Sequence, residues 1–167
     1  MKKILVTGGA GYIGSHTAVE LLNAEYEIVI VDNFYNSKPK AIENIEKITG
    51  KKFKFYEGDV CDKELLRKIF SENGIEAVMH FAGYKAVGES VAKPLMYYRN
   101  NLDCTLSLLE IMQEFNCKKF VFSSSATVYG DPERLPIDEK CRLSVTNPYG
   151  ATKLYIEFWL LTKSSFA

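Results

Sequence analysis

Short apolar runs and amphipathic stretches alternate along this chain. Ile4-Leu5-Val6, Glu27-Ile28-Val29-Ile30-Val31, Phe53-Lys54-Phe55-Tyr56-Glu57, Ala77-Val78-Met79-His80-Phe81 and Lys119-Phe120-Val121-Phe122 have strand length and β-branched, leucine or aromatic content. After the first run, Ile13, Thr17, Val19, Leu21 and Leu22 recur at helical spacing, and Ile42, Ile45 and Ile48 do so from near Pro39, closed by Gly50. Asp62 caps a helix carrying Leu65, Leu66, Ile69 and Phe70, and a long pattern from Pro94 to Phe115 carries Leu95, Tyr98, Leu102, Leu106, Leu109 and Met112. Tyr129 to Asn147 reads as an irregular loop. Asn147 as N-cap and Pro148 in the first turn then start a helix at Tyr149 that runs through Lys153, Ile156, Leu160 and Leu161 to about Ser164. Five buried strands separated by helices predict an α/β fold of Rossmann type, a doubly wound parallel sheet with helices on both faces. Residues 1–167 read as one domain without internal repeats.

Composition narrows the partners. With 47% hydrophobic and 25% charged residues the chain can bury a core. Twenty-one basic and 21 acidic residues cancel, so no basic face is available to hold nucleic acid. Cys61, Cys104, Cys117 and Cys141 form no C-x-x-C pair and lie near no histidine cluster, so neither a zinc site nor a disulfide framework is indicated, and a reduced, cytoplasmic setting fits. No apolar run reaches membrane-spanning length.

The chemistry concentrates at strand ends. Between the first strand and helix, Gly8-Gly9-Ala10-Gly11-Tyr12-Ile13-Gly14 contains both Gly9-x-Gly11-x-x-Gly14 and Gly8-x-x-Gly11-x-x-Gly14. Glycines there permit a tight turn and let backbone N–H groups and a helix N-terminus meet a pyrophosphate; the bland alternative is a flexible turn. Asp32 ends the second strand where a ribose-binding acid belongs. Its carboxylate would repel a 2′-phosphate, which favours NAD over NADP, the alternative being a turn or cap aspartate. Ala82-Gly83 closes the fourth strand with small residues, and Ser125 follows the fifth. Tyr149 and Lys153, four apart, share one helix face. A phenol is a poor base at neutral pH, but an adjacent cation favours its phenolate, so this pair can move a proton; a buried tyrosine beside a solvated lysine is the ordinary alternative. His16, His80 and Trp159 read as structural.

Taken together, Thr7 to His16, Asp32-Asn33, Phe81 to Val91, Ser123 to Gly130 and Asn147 to Gly150 resemble the N-terminal half of the UDP-glucose 4-epimerase family, extended short-chain dehydrogenases/reductases. The resemblance implies NAD contacts at Gly8, Gly11, Tyr12, Ile13, Gly14, Asp32, Asn33, Phe34, Tyr35, Asn36 and Ser37, with Asp59 and Val60 around the adenine. It extends them to Phe81, Ala82, Gly83, Tyr84, Lys85, Asn100, Tyr149 and Lys153. It implies Ser125, Thr127, Tyr149 and Lys153 as the catalytic set, Ser125 and Tyr149 also touching the sugar, and no metal. The implied reaction inverts C4 of UDP-glucose and UDP-galactose through a transient 4-keto sugar, in galactose metabolism, in a homodimer paired through the two long helices.

Two departures are visible. Asp103-Cys104 stands where Asn-Gly is usual, and Ala151-Thr152 where Lys-Ser is common. Ala126-Thr127 also occupies the place where a sister 4,6-dehydratase would carry Asp-Glu. Because the resemblance ends before the family's nucleotide-sugar domain, the isolated chain is expected to be inactive and unstable, and a non-catalytic NAD-binding module is the competing reading.

Overall fold

The computed structural model describes residues 3–162. Its contacts divide the chain into two compact units. One holds the chain up to Ala82 together with Cys104–Ser123, and the other holds Gly83–Asp103 and the chain from Ser124 onward.

The first unit contains five strands: β1 (Lys3–Thr7), β2 (Glu27–Asp32), β3 (Lys54–Glu57), β4 (Ala77–His80) and β5 (Lys119–Phe122). All pair in parallel in the order β3-β2-β1-β4-β5, the doubly wound arrangement expected. The register sets Val6 beside Ile30 and Met79, and Leu5 beside Val29 and Val78. Side chains alternate across a strand, so Ile4, Val6, Ile28 and Ile30 share a face and Leu5, Val29 and Val31 the opposite one. On the first face they pack with Ala18 and Leu22 of α1 (Tyr12–Asn23) and Ile45 of α2 (Lys40–Thr49). The helix α3 (Lys63–Asn73) starts where Asp62 accepts the Glu64 and Leu65 N–H groups, and it ends at Gly74 in the left-handed region, φ 60°. Arg67 of α3 clasps Glu114 of α5 (Pro94–Glu114) through two 2.8 Å bonds. His80 is the structural residue expected: 1% exposed, it is hydrogen-bonded to the Thr7 and Thr105 hydroxyls at 2.6 and 3.0 Å.

The second unit contains α4 (Val87–Ala92), the first half of α5, a 3-10 turn (Ala126–Tyr129) and α6 (Pro148–Thr162). The short α4 and the 3-10 turn are additions to the elements expected. Pro94 has no N–H to extend α4, whose C-cap is Lys93, and the Ser125 side chain caps the 3-10 turn by accepting the Thr127 N–H. The expected end of α6 at Ser164 lies outside the described residues.

One link was not signalled by the cysteine spacing: Cys61, in the turn after β3, and Cys104, on α5, are joined as a disulfide across 43 residues of sequence. Their separation gave no short-range signal, and only the packing of α5 against that turn brings them together. Cys117 and Cys141 are free and buried.

Leu5 is fully buried in the central strand. Leu5→Ala is expected to lower stability by about 3 kcal/mol in urea unfolding; a loss under ~1 kcal/mol would show that the sheet closes around the space.

Candidate functional site

In the first unit the polar features gather at the carboxyl ends of β1, β2 and β3. Gly8 follows β1 with φ +68°, and a Cβ on Gly14 would lie 2.3 Å from the Gly8 carbonyl oxygen. The turn therefore accepts backbone only. It leads into α1 without a side-chain cap or an acidic residue in the first turn, so its leading N–H groups face outward as donors for an anion. A glycine cradle of this shape with an uncapped helix start fits the pyrophosphate of a dinucleotide.

Asp32, 8% exposed, organises the next shell. Its Oδ2 accepts the Ala10 N–H at 3.0 Å, and its Oδ1 accepts the Phe34 N–H at 2.9 Å and the Ser37 hydroxyl at 2.7 Å. The turn places Phe34 at φ +56°, its ring 5.3 Å from that of Phe55. Asn33 donates to Asp59 Oδ2 at 3.1 Å, and the Cys61 N–H donates to Asp59 Oδ1 at 2.8 Å. Val60 beside it is buried. Tyr12, Ile13 and Tyr35 are exposed, as are Asn33 and Asn36, while Phe81 and Ala82 are half-buried, the Ala82 N–H reaching the Thr7 hydroxyl at 3.4 Å. Thus the glycine turn, Asp32, Asn33, Ser37 and Asp59 come together as one connected edge.

The second unit gathers Ser125, Thr127, Tyr149 and Lys153. Asn147 accepts the Gly150 N–H at 2.8 Å, which starts α6, and a Cβ on Gly150 would lie 2.8 Å from the Thr127 carbonyl. The helix therefore lies hard against the 3-10 turn. In that turn the Thr127 N–H and hydroxyl both donate to Ser125 Oγ, at 3.2 and 2.9 Å. Tyr149 and Lys153 are 9% and 6% exposed, with the Lys153 ammonium 6.0 Å from the centre of the Tyr149 ring. Burial pushes Lys153 down from its ordinary 10.5 to about 8, and the Glu157 carboxylate partly offsets this. The lysine is thus not the solvated residue that the ordinary alternative required.

Gly83, Tyr84, Lys85 and Asn100 are also in this unit, and they are tied to it by a residue that the sequence did not single out. Asn101, 3% exposed, accepts the Tyr84 N–H at 2.8 Å, donates to the Tyr84 carbonyl at 3.0 Å and donates to the Thr152 hydroxyl at 3.1 Å. Asn100 donates to its Oδ1 in turn. The available signal was an amide inside the apolar pattern of the long helix.

The family model for GDP-mannose 4,6 dehydratase matches residues 5–163. UDP-glucose 4-epimerase of Bacillus subtilis is 62% identical over 154 residues, which are 92% of this chain and 45% of that protein. The Pasteurella multocida UDP-glucose 4-epimerase is 59% identical over 155 residues, 92% and 46% respectively. Among solved structures, the Bifidobacterium longum UDP-glucose 4-epimerase in complex with NAD+ and UDP superposes with a TM-score of 0.94 at 56% identity, over 96% of this chain and 48% of that one. The chain thus spans about half the length of the relatives it matches.

Because Lys153 holds its proton less tightly folded than unfolded, its burial opposes folding fully below pH 8, and that cost fades as pH rises from about 8 to 10.5. Lys153→Met is expected to gain about 3 kcal/mol at pH 7 and to flatten the rise in stability across that window, both read by urea unfolding. Parallel pH profiles for the two proteins would place the ammonium in water.

Proposed function

Since this chain belongs to the extended short-chain dehydrogenase/reductase family, through the GDP-mannose 4,6 dehydratase model that spans it, we propose that its complete protein interconverts UDP-glucose and UDP-galactose at C4 with a retained NAD. The observation that carries this reading is the buried Tyr149 and Lys153 on the helix that packs against the Ser125–Thr127 turn. Relatives that carry the name UDP-glucose 4-epimerase, at 52–62% identity, support it. The route is galactose metabolism in the cytoplasm. No described helix is long and apolar enough to cross a membrane.

NAD, held by the glycine turn and Asp32, would supply the hydride-accepting and hydride-donating chemistry at the sugar C4. Tyr149 takes the proton of the sugar 4-hydroxyl onto its phenolate oxygen and gives it back, and the Lys153 ammonium stabilises that phenolate. Ser125 Oγ already accepts two bonds from Thr127, so its own hydrogen is left to donate to the sugar oxygen. Thr127 acts by fixing that orientation. The glycine turn with Tyr12 and Ile13 meets the pyrophosphate. Asp32 has filled both lone pairs of Oδ1 and one of Oδ2, which leaves one for a ribose hydroxyl and none suited to a phosphate. The segment Asn33 to Ser37, with Asp59 and Val60, borders the adenosine, and Phe81 to Lys85 and Asn100 complete the cofactor contacts. Residues 1–167 belong to the NAD-binding domain in this reading. Ala126 and Thr127 carry no carboxylate for an elimination, which favours epimerase over dehydratase.

The assay is NAD-dependent interconversion of the two sugars by the complete gene product. Tyr149→Phe is expected to lower kcat by about 10²–10⁴ while KM changes little. Absence of interconversion by the unaltered protein would overturn the assignment, and release of a 4-keto-6-deoxy sugar would make it a dehydratase. The competing reading, a nucleotide-binding module, draws on the chain's spanning about half the relatives' length; it predicts NAD binding without turnover in the complete protein too. The 167 residues alone are expected to show no turnover.

The second unit presents an apolar surface suited to a second copy. Leu95, Tyr155, Phe158 and Leu161 are 78%, 49–53% and 82% exposed along α5 and α6, with Tyr98 stacked on Tyr155 at 6.3 Å. These two helices pair with their equivalents as a four-helix contact. Sedimentation is expected to show a dimer that Leu161→Glu weakens at least tenfold; a monomer before substitution would refute it.

A further inference from the structure

The turn after β3 contains side chains that the proposed chemistry does not use. Cys61 is half-buried there, Cys104 is buried on α5, and their sulfurs are bonded. Asp59 lies against the pair. Its Oδ1 accepts the Cys61 N–H and stands 3.6 Å from Cys104 Sγ, while its Oδ2 holds Asn33. The same carboxylate therefore touches both the residues that border the proposed adenosine site and the only disulfide among the described residues.

We propose that Cys61 and Cys104 are a reversible thiol–disulfide site that sets how firmly the protein holds NAD, by fixing or releasing the turn Asp59–Cys61. This rests on the reading of Asp59 and Val60 as adenine contacts. Oxidised, the turn is cross-linked to α5, so Asp59 and Val60 are held in place and the bound nucleotide leaves more slowly. Reduced, the turn loses that tether, and Cys104 offers Asp59 only a weak S–H donor.

The exchange needs a small disulfide such as glutathione disulfide. Cys61, the more accessible sulfur, loses its proton and attacks one sulfur of that reagent; a new S–S bond forms to Cys61 and one glutathione leaves as thiolate. Cys104 then loses its proton and attacks the Cys61 sulfur, displacing the second glutathione. The protein's two thiols give up two electrons and two protons, and the small disulfide takes them up as two thiols. A dithiol such as dithiothreitol reverses both steps.

The test treats the protein with glutathione disulfide or with dithiothreitol and removes the reagent. Free thiols are then counted, cross-linked peptides mapped by mass spectrometry, and NAD release timed. Oxidation is expected to remove two thiols relative to the reduced protein, with Cys61 joined to Cys104 and the peptides of Cys117 and Cys141 unlinked. The oxidised form is expected to release NAD at least threefold more slowly and to melt on the order of 10 °C higher. Cys61→Ser and Cys104→Ser are each expected to release NAD at the reduced rate, unresponsive to either reagent. A thiol count that oxidant leaves unchanged would overturn the proposal, as would NAD release that is equal in the two states. The sulfur and carboxylate donors of Asp59, Cys61 and Cys104 lie within 4.8 Å of one another; stoichiometric Zn²⁺ binding that blocks oxidation would overturn it in favour of a metal site. If neither form binds NAD, the adenine reading fails and the coupling with it, while the thiol count still decides whether the cross-link exists.

Discussion

A methyl group on Gly14 would overlap the carbonyl of Gly8, and that close approach governs what the first unit can be. It brings the start of α1 down onto the end of β1, so the helix's first N–H groups open at the carboxyl edge of the sheet instead of being spent on a capping side chain. Asp32 then finds the Ala10 N–H within reach, and its other oxygen fixes the turn through Phe34 and Ser37. From there Asn33 leads to Asp59 and to the cysteine pair. Each link depends on the one before it.

The second unit is organised by buried polar groups rather than by a glycine turn. Asn101 satisfies both backbone groups of Tyr84 and the hydroxyl of Thr152, which in turn bonds the Tyr149 carbonyl. One amide thus ties the segment after β4 to the helix that carries Tyr149 and Lys153. The lysine is kept charged at neutral pH in a place that disfavours charge, which is a cost in stability at the position where the proposed chemistry needs a cation.

Most of the architecture was legible because it follows from periodicity. The strands were visible as apolar runs, and Asp62 and Gly50 marked a helix start and a helix end where the structure has them. Tyr149 and Lys153 were legible as a spacing on one helix, and Asp32 as an acid at a strand end. Asn101 was not, since an asparagine in a helix announces nothing until its partners at Tyr84 and Thr152 are known. The Cys61–Cys104 pair was hidden for the same reason: contacts across 43 residues are written in the packing of α5 and not in any local pattern. The short α4 escaped because six residues carry too little periodicity to read.

The strand order has a consequence for how the chain is made. Of the five strands β1 is made before the other four, yet it lies in the middle of the sheet, between β2 and β4. Its second neighbour is complete only at His80, and β5 closes the far side at Phe122. A nascent chain leaving the ribosome at roughly 5–20 residues per second therefore carries an unpaired apolar edge on β1 for several seconds. The earliest of the five strands is enclosed only after three others have been made, and over that interval the growing polypeptide presents the kind of sticky edge that chaperones shield.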